Sequence, residues 1–245
     1  IFNGNMHIEG DKRVLGRVIR SKTGRGKNEG EQILQLLSSH HGTADFIATK
    51  LVRFLVNDAP PSSLVAKVSK TYRKTKGSIP AMVDTIVKSR EFWARENFRA
   101  KFKTPFEFVV SALRVTGAEV ESFDRLVKLL ESMGQPVYHC DDPTGWYDTS
   151  EAWLDPGVMA LRWQFAEELA AGKVKGVRIP DSLFSDIPSD IPPLLWQHHL
   201  TRAVLPGGAG ERTRAALAAV TNEYLKDRRV PDLFDLGPKL VGLLL

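Results

Sequence analysis

The sequence predicts an all-α fold, an irregular multi-helix globular arrangement of eight or nine helices joined by long ordered loops. Three observations predict it. Apolar residues recur at helical spacing along most of the chain, strand-like alternation is almost absent, and the gaps between periodic runs carry helix start and stop residues. No longer period repeats, so the chain is not a solenoid.

The elements follow in order. After Thr43, a good N-cap, the set Ala44, Ile47, Ala48, Leu51, Phe54 and Leu55 defines a first helix. Pro60-Pro61 ends it and opens a second, where Leu64, Val65, Val68 and Tyr72 oppose Lys67, Lys70, Arg73 and Lys74. A third runs from Ser78 through Met82, Val83, Ile86 and Val87 towards Trp93. Thr104-Pro105-Phe106-Glu107 is a capping box with proline at the first helical position; Phe108, Val109, Ala112 and Leu113 then face inward until Gly117. Phe123, Leu126, Val127, Leu130 and Met133 give a helix closed by Gly134, and Asp155-Pro156 opens one closed by Gly172. Residues 173–191, rich in Pro, Asp and Ser, are predicted as a surface loop. Helices near 192–203 and 211–228 flank Leu205-Pro206-Gly207-Gly208, and an apolar segment runs from Leu236 to Leu245. The whole of residues 1–245 is predicted as a single helical domain.

Composition bounds the function classes. With 42% apolar and 26% charged residues the chain has the make-up of a soluble globular protein, and its apolar runs are too short to cross a bilayer. A single cysteine excludes an internal disulfide framework. Charge is unevenly spread: residues 1–103 carry 20 Lys and Arg against 9 Asp and Glu, a net of +11, whereas residues 104–245 carry 14 against 20, a net of −6. Lysines on the outer faces of amphipathic helices account for this; an anionic partner is the alternative.

The common catalytic signatures are missing. His40-His41 and His198-His199 are adjacent pairs, whose rings diverge by about 100° on a helix instead of sharing a zinc-binding face. "GRGKNEG", residues 24–30, lacks phosphate-loop spacing and is predicted as a mobile basic loop. No G-x-S-x-G or S-x-x-K occurs. The densest polar stretch, "QPVYHCDDPTGWYDTSEAWLDPG" (135–157), sets His139, Cys140, Asp141 and Asp142 in a row. Consecutive extended side chains point to opposite faces, so they do not converge on one metal, and a cysteine beside a histidine in sequence is not a dyad. The stretch is predicted as a tight turn through Pro143 and Gly145 that plants Trp146 and Trp153 on the following helix.

"HIEGDKRVLG" (7–16), "HHGTADFIATKLVRFLVNDAPP" (40–61), "IVKSREFW" (86–93), "KFKTPFEFVVSALRVTG" (101–117) and the run from Gly134 to Gly172 occur in one order. Together they resemble the C-terminal two-thirds of the bacterial family catalogued as domain of unknown function 1800. The resemblance implies further helices before His7 and a Ser-Pro-Glu-Phe phrase after "GPKLVGLLL", hence a chain shortened at both ends. It also implies export to the periplasm or envelope and a protein partner, because such proteins are often encoded beside a sulfatase-like exported family. The family pattern His-Asp-x-Gly-x-Lys is met by His7, Gly10 and Lys12, but Ile8 stands where Asp is usual. The usual Pro-Pro-Asn before the Gly-Trp turn has become Asp141-Asp142-Pro143-Thr144.

The leading reading is therefore an exported helical binding or scaffold module that acts with a protein partner, with no cofactor and no metal. An envelope hydrolase with His7, Lys12, Asp142 and Arg162 converging on a cleft is the alternative. Weak, non-specific nucleic-acid or anionic-surface binding through residues 1–103 is a second alternative, with nucleic acid disfavoured because most aromatics sit at apolar helix positions. Lys50 and Trp146 are the candidate ligand contacts.

Overall fold

The structure, a computed structural model, describes residues 2–21, 26–188, 190–227 and 232–245. Two compact units divide the chain, residues Ile1–Phe102 and Lys103–Leu245. Helix accounts for 60% of the described residues and strand for 4%, which makes the fold all-α in class.

The first unit opens with a 3₁₀ turn, Gly4–Met6, capped by the Asn3 side chain, and a hairpin of β1 (Lys12–Val14) and β2 (Arg17–Ile19). Leu15 and Gly16 both have positive φ, 48° and 76°, which gives the two-residue turn the twist that matches paired strands. Then come α1 (Gly26–Ser38), α2 (His41–Leu55), α3 (Ser62–Thr75) and α4 (Ile79–Val87). The core lies between α2, α3 and α4: Ala44, Ala48 and Val52 meet Leu64 and Val68, with Met82 and Ile86 closing the third side. Tyr72 on α3 donates its hydroxyl to the Ser38 carbonyl at 2.7 Å and so holds the end of α1.

The second unit contains α5 (Pro105–Val115), β3 (Glu119–Val120), α6 (Asp124–Ser132), α7 (Pro156–Ala170), β4 (Val177–Arg178), α8 (Ser182–Ser185), α9 (Pro193–Val204), α10 (Glu211–Asp227) and α11 (Leu233–Leu244). The capping box is present on both sides: Thr104 Oγ1 accepts from the Glu107 amide and the Glu107 carboxylate accepts from the Thr104 amide. Asp155 caps α7 by accepting from the Gly157 and Val158 amides. One core cluster joins α5, α6 and α7 through Phe108, Val109, Leu129, Leu130, Phe165 and Leu169. A second gathers Trp196, Leu200, Leu217, Leu236, Leu240 and Leu244 from α9, α10 and α11. Where α11 passes α8, a Cβ on Gly237 would fall 2.7 Å from the Phe184 ring, so only glycine permits that approach.

Eleven α-helices occur among the described residues, not eight or nine, and two small sheets accompany them. The extra helices have physical reasons. The segment predicted as a basic loop is, from Gly26 onward, the first turn of α1; its glycines conceal a run whose Glu29 is buried, while residues 24 and 25 lie outside the described residues. The predicted loop 173–191 contains β4 and α8 because Val174, Val177, Phe184 and Ile187 anchor it into the cores. His40, not Thr43, caps α2: its Nδ1 accepts from the Gly42 amide, and Thr43 donates to the Leu37 carbonyl. The third helix stops at Val87, short of Trp93.

Leu240 has no exposure, whereas Leu243 on the same helix is 44% exposed. Leu240→Ala should lower the unfolding free energy by roughly 2–5 kcal/mol. Leu243→Ala should change it by about 0.5 kcal/mol or less. Chemical denaturation of the two variants beside the parent checks both, and equal losses would contradict this packing.

Candidate functional site

His7 and Lys12 meet in the first unit, on a residue that sequence reading passed over. Glu29, in the first turn of α1, leaves its side chain 3% exposed, and Lys12 Nζ donates to its Oε2 at 2.6 Å. His7 Nε2 lies 3.1 Å from the same oxygen, and Ser21 Oγ donates to Oε1 at 2.9 Å. Lys12 donates also to the Gly10 carbonyl at 3.0 Å. These contacts, Lys12 first, then Ser21 and His7, hold the Glu29 carboxyl at about 2 against an ordinary 4.5, although burial acts in the opposite sense. An ionised carboxylate only accepts, so Nε2 of His7 is the protonated nitrogen of this pair. The His7 ring lies flat against α1 because residue 26 is glycine: a Cβ there would sit 2.6 Å from the ring. An open cleft of about 520 Å³ adjoins the group, walled by Phe2, Ile33 and Leu34.

Asp142 and Arg162 belong to the second unit, and each has a partner there. Asp142 Oδ1 accepts from the amide and hydroxyl of Thr144 at 2.8 and 2.7 Å, and the Gly145 amide donates to the Asp142 carbonyl at 3.0 Å. Those Thr144 hydrogen bonds lower the carboxyl pKa of Asp142. The turn is closed by Gly145 at φ +85°. The Cys140 thiol points into the same turn, 3.4 Å from the Asp142 carbonyl. Trp146 is half-buried, 6.4 Å from Trp153 ring to ring, and Trp153 is the buried member of the pair. Arg162, buried on α7, donates to the Lys103 carbonyl at 2.8 Å and lies 5.2 Å from the Phe108 ring centre. Burial lowers its pKa, partly offset by Glu107. Lys50 Nζ stands 5.7 Å from the exposed ring of Phe46.

The model of the family described as "Protein of unknown function (DUF1800)" matches residues 1–245. The chain belongs to this family. Neither the curated proteins nor the solved structures give a match.

In this DUF1800 chain Ile8, the residue after His7, is 81% exposed, while a carboxylate reaches His7 and Lys12 from Glu29, 22 residues beyond His7. The signal that could have found it is small: a glutamate one turn into a helix whose preceding glycines obscure its start. No group of three or more His, Cys, Asp or Glu side chains able to hold a metal occurs among the described residues. The described helices include none long and apolar enough to cross a membrane.

The depressed Glu29 pKa fixes a pH dependence. Its contribution to stability is complete above about 4.5 and is lost as pH falls to about 2. Glu29→Gln should therefore be less stable at neutral pH and should lose stability less steeply between those limits, by up to about one proton in slope. Denaturant titrations at a series of pH values measure this; equal slopes for parent and variant would contradict the geometry.

Proposed function

We propose that this DUF1800 protein is a helical binding module, exported to the bacterial envelope, that engages a protein partner through the loop of residues 135–154. One observation carries the reading: a loop pinned from within holds two tyrosines out in solvent. Tyr138 is 99% exposed and Tyr147 is 72% exposed. The pinning is specific. Trp153 is buried and its indole N–H donates to the Tyr147 carbonyl at 3.2 Å, and the Asp142–Gly145 turn fixes the chain before it.

Tyr138 sits at φ +61°, a conformation that costs an L-residue with a side chain on the order of 1–2 kcal/mol. A solvent-exposed aromatic kept in such a conformation, next to a turn built by Asp142 and Thr144, is preorganised to present its ring. Tyrosine suits that work, since it offers a large rigid contact area for little loss of rotamer freedom. Function at this loop also gives the turn residues their purpose: Asp142 and Cys140 shape the platform instead of reacting.

The partner to which the family resemblance points is a sulfatase-like exported protein, of the kind often encoded beside members of the family. Binding of the full chain to that protein, measured by titration calorimetry, should weaken by about 30-fold or more in a Tyr138→Ala/Tyr147→Ala variant. The thermal midpoint of the free variant should stay close to the parent's, because neither ring is packed. Unaltered affinity in a folded variant would remove this loop from the interface.

A further inference from the structure

The segment after α4, residues 88–99, holds a second exposed aromatic pair, in the first unit and independent of the partner loop. It is irregular apart from a 3₁₀ turn, Arg95–Asn97, yet it is tied down along its length. Ser89 donates to the Ile86 carbonyl at 2.7 Å and accepts from the Phe92 amide at 3.1 Å. Asn97 Nδ2 donates to the Glu91 carbonyl at 2.7 Å, and Asn57 Nδ2 donates to Asn97 Oδ1 at 2.9 Å. The Glu91 carboxylate accepts from Lys67 and Ser63 of α3, both at 2.9 Å, and these bonds, Lys67 first, bring its pKa down to about 2. On this fixed frame Trp93 is 73% exposed and Phe98 is 68% exposed.

Two further features describe what such a surface fits. The indole N–H of Trp93 already donates to the Val87 carbonyl at 2.7 Å, so the exposed part of the ring has no donor left to satisfy and can enter an apolar layer without a polar penalty. Basic side chains outnumber acidic ones on the segment: Lys88, Arg90, Arg95 and Arg99 against Glu91 and Glu96. Arg90 and Arg95 are exposed on the segment, and Lys70 and Lys74 are exposed on α3, the helix that Lys67 ties to Glu91. Residues 1–103 as a whole carry 20 basic against 9 acidic side chains. Apolar rings that seat at the headgroup level, ringed by lysine and arginine, are the chemistry of a peripheral contact with an anionic bilayer.

We propose that residues 88–99, with the basic face of α3, dock this protein onto an anionic lipid surface, Trp93 and Phe98 entering the interface while Arg90, Arg95 and the α3 lysines meet the headgroups. Single-stranded nucleic acid fits less well. Base stacking needs successive open ring faces along a basic track, whereas Trp93 presses edge-on at 82° to Phe92, itself half-buried against the core.

The test is sedimentation of the full chain with vesicles of phosphatidylglycerol and phosphatidylcholine, and with vesicles of phosphatidylcholine alone. Binding is expected to the mixed vesicles only, and it should fall as salt is raised. Trp93→Ala/Phe98→Ala should lower the partition coefficient about tenfold or more, while Trp163→Ala, which removes an exposed ring of the second unit, leaves it unchanged. Should the aromatic variant fold poorly, Arg90→Glu/Arg95→Glu alters only exposed side chains and should lower binding by about fivefold or more. Absence of binding to the mixed vesicles overturns the proposal. So does vesicle binding that neither folded variant weakens, or a tighter hold on a single-stranded thymidine oligonucleotide than on the vesicles at the same salt.

Discussion

A single buried carboxylate organises the start of this chain. The hairpin of β1 and β2 is three residues deep on each side and has too little apolar surface to be stable alone. Only Ile19 of its strands is buried. What fastens it is Glu29, which takes hydrogen bonds from Lys12 in β1, from Ser21 just after β2 and from His7 ahead of the hairpin. Three separate stretches of chain thus converge on one residue of α1. Removing a buried carboxylate's partners, or the carboxylate itself, strands the remaining charges, which is why such a knot is costly to break even where its net contribution is modest.

The same economy runs through other polar residues of the chain, of which Asp142 and Arg162 are candidates from the sequence and Glu91 is not. Asp142 makes a turn, Arg162 secures the Lys103 carbonyl at the head of α5, and Glu91 braces the segment that carries Trp93. Each charged group holds irregular backbone in place, and the stretches held by Asp142 and Glu91 display exposed aromatic rings. A general acid or base works with a pKa near the operating pH. Glu29 at about 2 is far from that, and His7 and Lys12 both bind it. Glu29 is thus suited to holding its neighbours in place and not to exchanging protons near neutral pH.

Much of the helical body was legible in the sequence. The periodic faces of α2, α3 and α5 to α7 depend on local spacing, and the caps at Thr104 and Asp155 depend on residues within one turn, so both could be read without tertiary information. What escaped was non-local or masked. α1 begins among glycines and lysines that look like loop, and the meeting of His7 with Glu29 spans 22 residues. Between Trp146 and Trp153 no period decides which ring goes inside; burial of Trp153 is set by the chain geometry that the Asp142 turn and the Asp155 cap impose on either side. The apolar face of the third helix points on towards Trp93 in sequence, and only the capture of the Trp93 N–H by the Val87 carbonyl shows the ring turned outward.

Glu29 holds the start of the chain together as an anion ionised throughout the neutral range. Its side-chain carboxyl carbon, followed by carbon-detected nuclear magnetic resonance across a pH titration of the folded chain, measures that property directly. A midpoint at about 2 is expected, with the resonance that of a carboxylate throughout the neutral range. A midpoint at or above the ordinary 4.5 would contradict it and would return His7, Lys12 and Glu29 to consideration as a proton-exchanging site.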